Sequence, residues 1–173
     1  MSHEVSSAVR LDLDAVFRSE YVRVVAVARR VLGSAADADD VAQEVFLSFA
    51  RSCVPTDDAA RWLTVAAAHT ALNHLRSLRR REARELRHAG AADRRSTGTD
   101  PADEAERHDD QLRVRRALDR LPRQQALVLV LRHSGLSYAE IATATGLAVG
   151  GVGTTLRRAE AALRKELNDE SSD

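Results

Sequence analysis

The sequence predicts an all-α fold, and three observations predict it. Apolar residues recur at three- and four-residue steps through most of the chain, the spacing that lays one stripe along a helix. Aromatic residues are only 3% of the 173, so a core must be assembled from Val, Leu and Ala rather than from the aromatic and β-branched residues that sheets favour. Helix punctuation stands between the stripes, with glycine after the last apolar position and proline or a capping residue before the first.

The first stripe is Leu13, Val16, Phe17, Tyr21, Val24, Val25, Ala28, Val31 and Leu32, closed by Gly33. The second follows the acidic turn "SAADADD", where Asp37, Asp39 and Asp40 suit the positive end of a helix dipole. Its apolar residues are Ala38, Val41, Ala42, Val45, Phe46 and Phe49. Pro55 breaks the chain, and Thr56, Asp57 or Asp58 is placed to cap a third helix. That helix carries Trp62, Leu63, Ala66 and Ala67 and continues to about Leu86. From His88 to Asp110 the apolar period is lost. "HAGAADRRSTGTDPADEAERHDD" has the composition of a flexible linker. Beyond it, Leu112, Leu118 and Leu121 mark a short helix, and Pro122 suits the first turn of the next, "PRQQALVLVLRH". "SYAE", Ser137 to Glu140, is a capping box whose helix ends at Gly146. A last helix runs through "LAVGGVGTTLRRAEAAL" to about Leu167. The expected organisation is two small helical domains, residues 1–87 and 111–173, joined by a linker over 88–110.

Charge and cysteine content narrow the function. The net charge is zero, but acid gathers at Asp37–Glu44 and Asp100–Asp110, and arginine at Arg76–Arg87. The single cysteine, Cys53, excludes an intrachain disulfide or a cysteine-based metal site. His69 and His74 are five apart, on different faces of their helix, so they do not form a metal pair. With no nucleophile–base pair and no metal cluster, the expectation is a non-enzyme with no cofactor and no small-molecule substrate. The N-terminus lacks an apolar signal core, and no run approaches the roughly 18 apolar residues of a membrane span. A soluble cytoplasmic protein is expected.

A short helix, Gly146, a short turn and a second helix make the helix-turn-helix pattern. With "LPRQQALVLVLRHSGLSYAEIATATGL" before it and "LRRAEAALRKEL" after it, this stretch resembles region 4 of sigma factors of the sigma-70 family. The first block resembles region 2 of that family. "DADDVAQEVFLSFAR" matches its acidic D-x-x-Q-E helix through Asp40, Gln43 and Glu44, and "RWLTVAAAHTALNHLR" follows as the family's W-L…A…L…R helix does. Two such blocks in this order, without a region 3, resemble the small extracytoplasmic-function (ECF) group.

The resemblance implies a mechanism. Region 2 docks on the clamp helices of the largest RNA polymerase subunit and opens the minus-ten element. Region 4 sits on the polymerase flap and reads the minus-thirty-five element. Core RNA polymerase and promoter DNA are then the partners, and an anti-sigma factor is a further one, since many relatives are held inactive by one.

Asp40, Gln43 and Glu44 share a helix face away from Val41 and Val45 and offer groups suited to bidentate arginine pairing. The alternative is a solvated acidic turn. In the third helix, the DNA-melting one of the resemblance, His69 and Asn73 can stack on or bond to unpaired bases. Family members often carry Arg-Asn where this chain has Ala68-His69, and Asp in place of Asn73. Arg76, Arg79 and Arg80 head "RSLRRREARELR", which can track phosphates or simply form a solvated helix end.

The last helix departs from the family's Val-Gly-Thr-Val-Lys-Ser-Arg start. It has Ala148 where a Ser or Thr cap is usual, glycines at 150, 151 and 153, and no cation in its first two turns. Thr154 and Thr155 remain for bases, and Arg157 and Arg158 for phosphates. Such a helix grips backbone more than it reads sequence. A sigma-like accessory regulator that binds polymerase but reads promoters poorly is therefore a rival reading. A free-standing helix-turn-helix repressor is another.

Overall fold

The structure, a computed structural model, describes residues 2–88 and 102–169, with side chains over 13–81, 83–84 and 109–169. Its elements there are seven α-helices and one 3-10 turn, with no strand among the described residues. They are α1 (Ser2–Leu32), α2 (Ala35–Ala50), the turn Thr56–Asp58, α3 (Ala59–His88), α4 (Ala102–Arg120), α5 (Arg123–His133), α6 (Tyr138–Thr145) and α7 (Val149–Asp169).

The apolar stripes become the core. In the first block α1 packs on both α2 and α3, burying Val24, Val27, Val31, Val41, Val45 and Leu63 completely or nearly so. Ala67, Ala68 and Ala71 on α3 are fully buried. Such small residues let neighbouring helix axes come close, since side-chain size sets interhelical distance. Thr64 is the only buried polar residue among the described ones, and its hydroxyl is satisfied by donating to the Ala60 carbonyl at 2.8 Å. In the second block Leu131, Leu136, Ile141 and Val152 are buried where α5, α6 and α7 meet.

Helix ends follow the chemistry of the sequence. Gly33 closes α1 at φ +73°, its N–H donating to the Arg29 carbonyl at 2.8 Å, and Gly146 closes α6 at φ +70°. Ser34 caps α2 by accepting from the Asp37 N–H. Pro122 stands as the residue before α5 rather than as its first helical residue.

The main departure is α4. The linker expected over 88–110 ends earlier, because 102–110 is helical. Low apolar content suggests a loop, but Ala102, Asp103, Glu104, Ala105 and Glu106 combine strong helix formers with acids at the positive end of the helix. The rest of that linker, residues 89–101, lies outside the described residues.

The capping box at α6 is complete. Ser137 Oγ accepts from the Glu140 N–H at 3.3 Å, and Glu140 Oε2 accepts from the Ser137 N–H at 2.8 Å and its hydroxyl at 2.7 Å. The Ser137 hydroxyl and N–H together hold the Glu140 carboxyl below its usual range. A depressed acid contributes stability that is present above its unfolded-state pKa and lost as pH falls through its folded-state value. Ser137→Ala is expected to destabilise the fold by about 1 kcal/mol. Thermal melts at neutral and acidic pH check this, because the gap between wild type and variant should narrow as Glu140 protonates. A gap that does not change with pH would show that the carboxylate contributes nothing.

Candidate functional site

The α2 helix turns Ala38, Val41, Ala42, Val45, Phe46 and Phe49 inward. On the opposite side Asp40, Gln43 and Glu44 are exposed together. Leu47, one turn further, is 58% exposed and gives this acidic face an apolar end. Glu44 Oε2 lies 3.3 Å from His74 Nε2 of α3. The neighbouring Asp39 is not on this face. It accepts a hydrogen bond from the Tyr21 hydroxyl at 3.0 Å, which raises the Tyr21 pKa. Tyr21, Phe17 and Phe46 form a ring cluster beside it, with Phe17 tilted against both partners, 4.9 Å from Tyr21 and 4.8 Å from Phe46 between ring centroids.

The third helix divides its candidate residues. Asn73, Arg79 and Arg80 are exposed and Arg76 is half-buried. His69 is half-buried, and burial first, then the positive charge of Arg123 on α5, lowers its pKa. Arg79 is ion-paired with Asp119 of α4, whose side chain is only 6% exposed. Trp62 packs beside Phe49 at 5.7 Å between ring centroids, as part of the core rather than a base-stacking surface.

The helix-turn-helix is α6, Gly146, Leu147, Ala148 and α7. Ala148 has no side chain to cap with, and the first turn closes by its carbonyl accepting from the Gly151 N–H at 2.8 Å. Gly150, Thr154, Arg157 and Arg158 are exposed, and Thr155 is half-buried. A β-carbon at Gly150 or Gly151 would meet nothing within 4 Å, whereas one at Gly153 would touch the Tyr138 ring at 3.4 Å. The exposed start of α7 is thus neutral, with Val149, glycines and threonines, and its cations begin in the third turn.

Contacts between the two blocks were not expected from the sequence. Besides Arg79–Asp119, Arg30 Nη1 of α1 donates to the His133 carbonyl at the end of α5 at 2.8 Å, and α3 packs on α5 near His69. Arg115, Arg116 and Asp119 of α4 come beside Arg79. The signal for them was present in "QLRVRRALDR", a stretch with four arginines and one carboxylate, Asp119.

Comparison with known proteins agrees with these two blocks. The family model described as "Sigma-70 region 2" matches residues 16–81, and that described as "Sigma-70, region 4" matches residues 111–163. A curated relative, the "Probable ECF RNA polymerase sigma factor SigI" of Mycobacterium tuberculosis, is 29% identical over 162 residues, in each of two strains, H37Rv and CDC 1551. That alignment covers 91% of this chain and 54% of the relative, so the chain spans about half the length of the curated relatives it matches. A solved structure, the sigma factor RpoE in complex with the anti-sigma factor NepR from Bartonella quintana, is similar at 21% identity. It covers 95% of this chain and 97% of that chain, with a TM-score of 0.49.

Proposed function

The chain belongs to the sigma-70 family of RNA polymerase sigma factors, carrying region 2 and region 4 in that order, and on that premise we propose that it is an ECF-type factor that binds core RNA polymerase and directs promoter recognition. The observation that carries the proposal is the pairing of both family regions with an exposed Asp40, Gln43 and Glu44 face on the side of α2 opposite its core. That face offers carboxylate and amide oxygens to arginines of the polymerase clamp helices. Residues Asn73, Arg76, Arg79 and Arg80 of α3, with His69, take the opened minus-ten element, and α7 takes the minus-thirty-five element. The factor does no chemistry itself, since bond formation belongs to the polymerase. No helix among the described residues is long and apolar enough to cross a membrane. Action in the cytoplasm, at the polymerase, fits this role. Pull-down of core polymerase followed by transcription from genomic templates tests the proposal, and failure to bind polymerase overturns it.

The neutral start of α7 favours a second reading at one point, that promoter reading by region 4 is weak. Arg157 and Arg158 grip phosphates, and phosphate contacts release counterions. Replacing both with alanine in the full-length protein is expected to flatten the dependence of log affinity on log salt by about 1.8. Preference for the best minus-thirty-five candidate over scrambled DNA is expected to stay below about a thousandfold, the threshold of true specific binding. Gly150→Arg, placed in open space, is expected to raise DNA affinity several-fold, with Gly150→Ala as the control for removing a helix glycine. Binding isotherms at two salt concentrations read all three. A strong preference in the unmodified protein would mean that Thr154, Thr155 and the glycine backbone read bases.

A further inference from the structure

Arginines line both sides of the seam between the two blocks. A cavity of about 280 Å³ between α3 and α4 is walled by Arg79, Arg115, Arg116 and Arg120, with Leu75, Leu78 and Leu112 completing its lining. Asp119 is the one carboxylate in that wall, and it is engaged by Arg79. Arg120 is drawn to Glu166 of α7 at 3.2 Å. Arg115 and Arg116 have no carboxylate within ion-pair distance among the described residues. The Arg115 Nε is moreover buried without an acceptor. Its side chain is held in place by lying across Gly33, where a β-carbon would stand 3.1 Å from its Cδ. On its far side Arg115 lines a second cavity of about 440 Å³ together with Arg29 and Arg30 of α1.

Like charges facing each other across an interface repel, and a buried guanidinium nitrogen without an acceptor is costly. A phosphate group in the groove answers the repulsion. It carries more than one negative charge, and its oxygens match the planar fork of arginine. We propose that the groove between α3 and α4 is a binding site for a phosphate-bearing anion, held by Arg115 and Arg116 with Arg79 and Arg120 at its edges. An anion there joins the two blocks by neutralising the seam. This inference does not depend on polymerase binding, so either can fail alone.

The test is a calorimetric titration of the full-length protein with inorganic tripolyphosphate at fixed ionic strength. One-site, saturable binding is expected, with a dissociation constant of about 1 mM or tighter. Arg116→Ala combined with Arg115→Lys keeps the packing over Gly33 but removes one cation and both guanidinium forks. It is expected to weaken binding at least about tenfold, or 1.4 kcal/mol. Arg116→Ala alone, at an exposed position, is the variant to use if the pair melts early. Arg18→Ala, exposed on α1 and outside both cavities, should leave the affinity unchanged. A short DNA duplex forms the second arm. Displacement of tripolyphosphate by the duplex, lost in the same α4 variants, identifies the occupant as a nucleic-acid phosphate. Failure to displace it identifies a free phosphate compound. No saturation by about 10 mM, or an equal loss in Arg18→Ala, overturns the site.

Discussion

Glu44→Lys with Gln43→Ala is expected to lower affinity for core polymerase by about a hundredfold or more, because truncating a buried, hydrogen-bonded charge pair at an interface costs roughly 2–5 kcal/mol and a reversed charge adds repulsion. The two residues stand exposed beside Asp40 on α2, and neither contributes to the core beneath, so helicity and melting temperature should not change. His74 provides the internal comparison. Its Nε2 is 3.3 Å from Glu44 Oε2, but both side chains are largely exposed, and exposed pairs of this kind contribute about 0–1 kcal/mol. His74→Ala should therefore change polymerase affinity by about fivefold at most. Leu47→Ala, at the apolar end of the same face, should fall between the two. Surface-plasmon titrations of core polymerase over the four proteins give the ranking. Unchanged affinity in the Gln43/Glu44 variant would remove α2 from the docking surface.

The ranking uses residues that the sequence already placed, because a helix face follows directly from a period of 3.6. Val41 and Val45 define the inward side of α2, so Asp40, Gln43 and Glu44 had to point outward. Gly33 and Gly146 were legible for a similarly local reason, since both take positive φ where a helix must stop. Two features were missed. The start of α4 at Ala102 was hidden because a helix can form from good helix formers and acids with almost no apolar stripe. The seam was hidden because Arg79 and Asp119 are forty residues apart, and no periodicity relates one helix to a partner across a linker. Excess arginine in "QLRVRRALDR" was the only trace of it. The recognition helix stood between these cases. Its missing cations were plain in the sequence, but only the structure separates open Gly150 from Gly153, which faces the Tyr138 ring.

Asp119→Ala is expected to loosen the seam and raise the affinity of the full-length protein for promoter DNA several-fold. Arg79, proposed to track DNA phosphates, is occupied by Asp119 when the blocks are together. His69 is half-buried at the contact of α3 with α5, and neither is fully available to DNA in that arrangement. Removing Asp119 frees Arg79. It also leaves Arg79, Arg115, Arg116 and Arg120 facing one another without the one carboxylate among them. The Asp119 side chain is 6% exposed while that of Arg79 is 54% exposed, so the pair is screened on one side only. Its coupling should therefore lie above the 0–1 kcal/mol of a surface pair and below the roughly 3–5 kcal/mol lost on breaking a fully buried one. A double-mutant cycle with Arg79→Ala isolates that coupling. Small-angle scattering should show a larger radius of gyration for Asp119→Ala, and the charge-swapped pair Arg79→Asp with Asp119→Arg should restore the wild-type value. The swap should not restore DNA affinity, because the cation would then sit on α4 instead of α3. If Asp119→Ala leaves both the radius and the DNA affinity unchanged, the ion pair does not hold the blocks together, and Arg79 is available to DNA in either arrangement.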